Sequence, residues 1–317
     1  MASASGSVPS SAALPKPRGG RHLASETTSG SRLTALDAEH PEWRPLLAVI
    51  KEALSEAERP QWARFVPAVV HSGRDGRPLL DGAVINAAPR LVRRWVRHIL
   101  EVAAGAGTDV ETLARRVAAG WLDPLLLFES AVSQDVDRFH EVALVEEDYH
   151  GLLRGLASLI AMPMLQSCRR AWAERVPTDW AYGFCPICGS WPALAEKRGL
   201  DGARHLRCGC CGCDWRTGWL RCPFCGEDDH EKLGSLVSPD RLERETIEVC
   251  DRCRGYVKTM TTLREIRPEH VVLQDLATVV LDIAALERGY RRPAAKGHEV
   301  TVRVVVEPSR WRDRLGL

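Results

Sequence analysis

Apolar residues recur every three or four positions through most of the first half of the chain, which is the pattern of amphipathic helices. One such stripe runs from Trp43 to Leu54 and another from Leu91 to Val102. Asp123 followed by Pro124 is typical of a helix start, and we expect that helix to continue to about His140. The pattern predicts an all-helical domain over residues 36–178.

Two parts of the first half of the chain depart from this helical pattern. Residues 1–35 are rich in Ser, Ala, Gly and Pro and contain few large apolar side chains, so we expect them to be disordered. Pro163 lies inside the apolar stretch Tyr149–Trp172. Because proline lacks a backbone donor and clashes with the preceding turn, we expect it to kink or break that helix.

After Pro177 the pattern changes to short segments rich in strand-forming residues and separated by turns. We expect strands over Trp191–Lys197, Ala203–Arg207, Trp215–Arg221, Lys232–Val237, Arg244–Val249 and Tyr256–Arg264. Helical periodicity returns in residues 268–290, where Leu276, Val279, Val280, Ile283, Leu286 and Tyr290 mark one helix that packs back on the rest of the chain. The tail, residues 291–317, contains one more strand-like segment, Glu299–Val306, which the pattern does not place.

Four C-x2-C pairs lie among the predicted strands. A C-x2-C turn points two thiolates at one metal ion, so four such turns suffice for two tetrahedral four-cysteine sites. Gaps of 19 and 24 residues separate the turns of each consecutive couple, and 10 residues separate the two couples, so sequential pairing is the simplest arrangement. Site one then comprises Cys185, Cys188, Cys208 and Cys211, and site two comprises Cys222, Cys225, Cys250 and Cys253.

These patterns predict an α+β protein. The helical domain is followed by two small β modules of the rubredoxin-like or zinc-ribbon kind, residues 179–220 and 221–267, and then by a C-terminal helix. Sheets this small have little core of their own, so each metal ion must hold its module together. A tetrahedral all-cysteine set accepts either iron or zinc, and the ligands alone leave that choice open.

Three cysteines fall outside the predicted sites. Cys210 and Cys213 form another C-x2-C pair that overlaps the second turn of site one, so its register can shift. We favour the Cys208/Cys211 register because Trp215 then follows and leads into a strand. Cys168 lies in a helical stretch and is interpreted as a small core residue.

Composition narrows the functional class. No apolar signal segment is visible at the N-terminus and no run of 18 apolar residues occurs, so we expect a cytoplasmic protein with reduced cysteines and no membrane contact. The formal net charge is +1, and residues 182–266 contain 13 basic and 13 acidic side chains, which disfavours nucleic acid as a partner. No catalytic motif is recognisable, which predicts a protein that is not an enzyme.

Several strings in the metal region resemble the formate dehydrogenase accessory protein family FdhE. They are Phe184–Ser190, Arg221–Cys225, Cys250–Lys258 and Asp275–Tyr290, which share the family's order, spacing and flanking residues. The family's four C-x2-C pairs fall on the eight cysteines of the two sites. A glycine follows three of the pairs, as in rubredoxin-like turns, whereas Arg254 follows the fourth.

The resemblance implies a specific role. FdhE-like proteins are cytoplasmic and are needed for active respiratory formate dehydrogenase, an enzyme that depends on molybdenum or tungsten. They are thought to bind its catalytic subunit before export by the twin-arginine route, so that subunit is the expected partner. We expect the docking surface on the exposed faces of the modules and in the cleft between them and the helical domain. The alternatives are a nucleic-acid-binding double zinc ribbon and a rubredoxin-like redox relay.

Overall fold

The computed structural model describes residues 28–106, 108–143, 152–237, 244–294 and 296–306. Seven helices form the first part of the described chain: α1 (Ser29–Glu39), α2 (Arg44–Ala57), α3 (Pro89–Ala103), α4 (Thr108–Ala118), α5 (Pro124–Val132), α6 (Val136–Ala143) and α7 (Leu152–Trp172). The long helix α7 packs against α2 and α5. The apolar stripe of α3 is buried, including Val92, Trp95 and Ile99, so the predicted periodicity identifies the face that enters the core.

Helix α7 runs unbroken through Pro163, so the expectation of a break is wrong. Proline removes the N–H that would bond to the carbonyl four residues earlier and disturbs that turn. The indole Nε1 of Trp95 donates to the carbonyl oxygen of Ile160, three residues before the proline, at 2.9 Å. A neighbouring helix thus supplies a donor to the turn before the proline, and the residues on both sides of Pro163 are buried.

Two other helix boundaries differ from the prediction. Asp123 caps α5 as expected, its carboxylate accepting from the N–H of Leu125 at 3.1 Å, but α5 ends at Val132. There the backbone turns through Gln134, which has a φ of 54°, before α6 begins. Residues 29–35, predicted to be disordered, belong to α1, which is capped by Thr28 and buries Leu36 against the core. The remainder of that prediction, residues 1–27, lies outside the described residues.

The strands of both cysteine modules belong to one six-stranded sheet, and the α+β class is confirmed. The strands are β2 (Pro192–Arg198), β3 (Ala203–Cys208), β4 (Asp214–Arg216), β5 (Leu233–Val237), β6 (Glu245–Cys250) and β7 (Tyr256–Thr262), in the order β4-β3-β2-β7-β6-β5. The predicted strands are present, although β4 ends five residues earlier than predicted. In the first module β2, β3 and β4 pair antiparallel, and in the second module β5, β6 and β7 do so. The parallel pairing of β2 with β7 joins the two modules, with Ala195 opposite Thr259.

The strand in the tail pairs inside the helical half of the chain. β8 (Val302–Val306) lies parallel to β1 (Ala83–Ala87), with Val302 opposite Ala83. Two carboxylates fix this pairing: Asp81 accepts from the N–H of Thr301 and Glu129 from the N–H of Val304, both at 2.8 Å. The side chain of Val302 is buried in the main core.

The single helix predicted for residues 268–290 is two helices, α8 (Val271–Ala277) and α9 (Val279–Glu287), divided at Thr278. The predicted packing stripe is also wrong in part, because Val280, Ile283 and Leu286 are exposed while Leu281, Ala284 and Ala285 are buried. Contacts with the sheet determine which face of α9 is buried. Lys258 of β7, with no exposed surface, pairs at 2.7 Å with both Asp275 and Asp282 and so holds α8 and α9 against the sheet.

Candidate metal centres

All four C-x2-C pairs form the same kind of turn, which we call a knuckle. In each knuckle the N–H of the first cysteine donates to the carbonyl oxygen five residues later, at 2.7–2.9 Å. The residue after the second cysteine takes a left-handed backbone conformation in every case. These residues are Gly189, Gly212, Gly226 and Arg254, with φ values of 75°, 76°, 74° and 56°. The turn aims two sulfur atoms to the same side of the backbone.

The structure brings the eight knuckle cysteines together as two sets of four, Cys185, Cys188, Cys208 and Cys211 at site one and Cys222, Cys225, Cys250 and Cys253 at site two. Within each set the sulfur atoms all lie within 4.8 Å of one another. The Sγ–Sγ distances are 3.5 Å for Cys185–Cys211 and Cys188–Cys208, 3.6 Å for Cys222–Cys253 and 3.7 Å for Cys225–Cys250. A tetrahedron with metal–sulfur bonds of about 2.3 Å has edges of about 3.8 Å. Each set can therefore hold one metal ion.

The electrostatics of site one also fit a cation. The four sulfurs are buried. Burial raises the pKa of the Cys185 and Cys211 thiols well above the usual value, whereas hydrogen bonds from neighbouring cysteines outweigh burial at Cys208 and hold its pKa well below that value. A thiolate in such a place needs a compensating positive charge. The only polar contacts to sulfur are weak, such as the N–H of Ile187 at 3.4 Å from Cys185 Sγ, among the described residues. A metal bound by four thiolates supplies the missing charge.

The first knuckle of site one is held by the helical half of the chain. The N–H groups of Leu79 and Leu80 donate to the carbonyl oxygens of Pro186 and Ile187 at 2.8 and 2.9 Å. On its other side the amide of Gln134 donates to the carbonyl of Cys188 and accepts from the hydroxyl of Ser190. Sequence analysis missed these supporting residues because they lie far from the cysteines in the chain and carry no motif.

The second knuckle of site one forms in the Cys208/Cys211 register. Gly212 has the left-handed conformation, and a side chain there would lie 2.7 Å from Pro268. Cys213 is buried beside the site with its sulfur 3.5 Å from the carbonyl of Asp214, and Cys210 is half-buried with its sulfur 3.3 Å from the Ser190 hydroxyl. Cys168 is fully buried in α7, as predicted for a core residue.

Site two lies beside the first module but nearer the surface. A side chain at Gly183 would lie 1.7 Å from the carbonyl oxygen of Pro223, so the third knuckle packs directly on the backbone that leads into the first. The rings of Phe224 and Trp191 pack edge to face, with their centres 5.3 Å apart. The two modules are therefore in close contact, as well as sharing a sheet.

Comparison with known proteins finds similarity to FdhE proteins. The family model described as "FdhE, C-terminal domain" matches residues 220–297, which contain the whole of site two. A "Protein FdhE homolog" of Pectobacterium carotovorum subsp. carotovorum (strain PC1) is 27% identical over 278 residues, covering 84% of each chain. The crystal structure of the FdhE protein from Pseudomonas aeruginosa matches with a TM-score of 0.53 at 21% identity, over 84% of this chain and 92% of that one. The chain is therefore similar to FdhE proteins over most of its length.

Other relatives match over shorter stretches. A "Protein FdhE homolog" of Aquifex aeolicus (strain VF5) is 28% identical over 150 residues, which is 44% of this chain and about half, 51%, of that relative. A third, from Stutzerimonas stutzeri (strain A1501), is 36% identical over 125 residues, or 40% of its length. The fold of the FdhE crystal structure extends the likeness to the helical domain.

An open cleft lies between the helical domain and site one. Its volume is about 530 Å³, and its walls come from α2, α7, the knuckles of site one, residues 292–294 and Lys296. Most of the lining is apolar, including Leu46, Leu152 and Leu159, while Ser190 and Cys210 lie at the end next to the cysteines. A cavity of this size and character is typical of a binding site.

None of the described helices is long and apolar enough to cross a membrane.

Proposed function

We propose that this protein is an accessory factor for a respiratory formate dehydrogenase that depends on molybdenum or tungsten. It acts in the cytoplasm by binding the immature catalytic subunit before export, and not by catalysis. The observation that carries this proposal is the FdhE likeness over 84% of the chain. The association of this family with formate dehydrogenase comes from the resemblance described above.

We further propose that each four-cysteine set holds one metal ion, iron or zinc. The sulfur separations and the burial of site one support this assignment. The bound ions would neutralise the thiolates and hold the sheet to the helical domain.

The cleft beside site one is the docking surface that this proposal requires. Arg154 and Lys296 lie on its lining and form no ion pair with any described residue, whereas Arg292 is neutralised by Asp275 and Asp282. The lining is otherwise apolar. A segment of the dehydrogenase that combines apolar side chains with acidic ones would complement this surface.

The proposal is tested by purifying the tagged protein from its own host, grown without oxygen and with formate, and identifying what co-elutes by mass spectrometry. We expect the catalytic subunit of formate dehydrogenase, still carrying its twin-arginine signal. Recovery of nucleic acid that salt removes, without any dehydrogenase, would overturn the proposal in favour of the nucleic-acid-binding ribbon.

A variant with a filled cleft tests the docking surface. Gly155 in α7 lines the cleft, and a Cβ there meets nothing within 4 Å, so Gly155→Trp adds bulk at the cleft from an unobstructed backbone position. We expect it to reduce capture of the dehydrogenase by about tenfold or more, the effect of disrupting a central contact, with metal content unchanged. Gly218→Trp, also in open space but outside the cleft, is the control. Loss of capture by the control alone would place docking on the module face instead.

A further inference from the structure

The two four-cysteine sets differ in their access to solvent. The four cysteines of site one each have a relative exposure of 0%. Cys225 and Cys253 of site two reach the surface, while Cys222 and Cys250 are 4% and 2% exposed. A molecule in solution can approach site two directly from one side. It can approach site one only after the surrounding core opens, because the first knuckle packs inside that core.

The knuckles that carry the exposed sulfurs are bordered by arginines. The guanidinium of Arg252 pairs with Glu227 at 3.2 Å, and that of Arg254 pairs with Asp251 at 2.8 Å. Arg221 is different, because it is exposed and forms no ion pair with a described residue. Its Nη2 atom lies 3.6 Å from the position that a Cβ would take on Gly226, so the guanidinium lies against the third knuckle. An approaching anion would meet a free positive charge beside the exposed sulfurs.

We propose that site two is the exchangeable metal centre of this protein, where an anionic ligand such as a thiolate or a carboxylate chelator takes or delivers the metal, and that site one retains its metal. This inference rests on the proposed metal binding by both sets. In the exchange, the metal–sulfur bond of Cys253 breaks as a bond from the metal to the incoming donor atom forms. The metal keeps its oxidation state, and the released Cys253 thiolate equilibrates with protons of the solvent. Cys225, the other accessible ligand, follows in the same way.

Metal release from the wild-type protein tests this assignment. The full chain, loaded with two zinc ions, is mixed with excess EDTA together with a thiol-alkylating reagent, and mass spectrometry follows both bound metal and alkylated cysteines over time. We expect one zinc to leave at least about tenfold faster than the other, since only release from site one requires the core to open. The cysteines of site two should be alkylated in the fast phase.

The possible results separate the two proposals. If the chain binds no metal, the metal assignment of both sets fails. If two ions bind but leave at the same rate, or if Cys185 and Cys188 are alkylated in the fast phase, the proposed exchange at site two is wrong while metal binding stands.

Charge reversal beside site two tests the role of Arg221. Arg221→Glu should slow zinc removal by EDTA several-fold at low salt, because it replaces attraction of the anionic chelator by repulsion. Removal by the neutral chelator 1,10-phenanthroline should keep its wild-type rate. Arg216→Glu, an exposed arginine on β4, makes the same charge change away from the knuckles of site two and is the matched control. Equal slowing by both variants would show an effect of net charge and not of Arg221.

Discussion

At the scale of single residues, the fourth knuckle shows how a departure from a sequence pattern is accommodated. Arg254 has the left-handed conformation that glycine has in the other three knuckles. This conformation costs a residue with a side chain about 1–2 kcal/mol. The guanidinium stacks 3.9 Å from the ring centre of Tyr290 and donates to Asp251 at 2.8 Å and to the carbonyl of Arg288 at 2.9 Å. These contacts offset the strain and tie the knuckle to the end of α9.

A buried histidine makes stability depend on pH. His270, next to α8, is 2% exposed, and burial, together with the charge of Arg32, lowers its pKa to about 4. In the unfolded chain its pKa is about 6.5. Because the unfolded chain binds the proton more readily, the stability is fully present above about pH 6.5 and declines as the pH falls towards 4. From the two pKa values we expect a loss of about 2 kcal/mol between pH 7.5 and 5.0.

The measurement is urea unfolding at both pH values. His270→Leu should lose this part of the pH dependence, because leucine has a similar size and cannot ionise. His230→Leu, at an exposed position, should keep the wild-type slope. An unchanged slope in His270→Leu would contradict the assignment.

At the scale of elements, the pairing of β1 with β8 joins parts of the chain that are more than 200 residues apart. Residues 300–304 bring Val300 and Val302 into the core at 6% and 5% exposure. They also satisfy the carboxylates of Asp81 and Glu129. The tail is therefore an integral part of the helical domain.

Removal of the tail strand should destabilise the helical domain. A chain that ends at His298 loses two buried valines, each contributing about 1.5–2 kcal/mol, so we expect a loss of about 3 kcal/mol or more. The loss would appear as a lower midpoint of thermal unfolding by circular dichroism. A chain that ends at Val306 keeps the whole of β8 and is the control. Equal midpoints for the two chains would show that the pairing contributes nothing.

At the scale of the whole molecule, the two metal sites have unequal structural roles. Cys185, Ile187 and Cys188 belong to the same hydrophobic core as the helices, whereas the cysteines of site two do not. The sequence alone suggests that loss of either metal disorders one module and leaves the helical domain folded. For site one the structure leads to a different expectation, which is that loss of the metal also destabilises the helical domain.

Paired cysteine substitutions test this inequality. Cys250→Ala with Cys253→Ala should remove one metal and leave the thermal unfolding of the helices nearly unchanged. Cys185→Ala with Cys188→Ala should remove the other metal and unfold the helices as well, because a structural zinc site contributes about 10–16 kcal/mol, comparable with the whole stability of a domain. Metal content and circular dichroism at 222 nm measure both effects. Cys168→Ala, outside both sets, should keep two metals. Survival of the full metal complement in both paired variants would mean that the assignment of the sites is wrong.

The sequence by itself determined what depends on local spacing. The three-and-four periodicity of Leu91–Val102 predicted α3 and its buried face, because side chains at that spacing share one side of a helix. The knuckle spacing predicted the two sets of cysteines that the structure brings together, because a C-x2-C turn directs both sulfurs to one side of the chain. The glycines after three of the pairs indicated rubredoxin-like turns, and the structure shows these glycines in the left-handed conformation.

Only the tertiary structure decided what depends on contacts distant in sequence. Pro163 lies in an unbroken helix whose preceding turn receives a hydrogen bond from Trp95, and the exposed face of α9 follows from the ion pairs of Lys258. Likewise, the pairing of β2 with β7, the support of Cys188 by Gln134 and the position of β8 have no signal in the spacing of neighbouring residues. The unequal burial of the two sites belongs to this class, because their motifs are nearly the same. Burial is a property of what packs around a motif, and that is set when the whole chain folds.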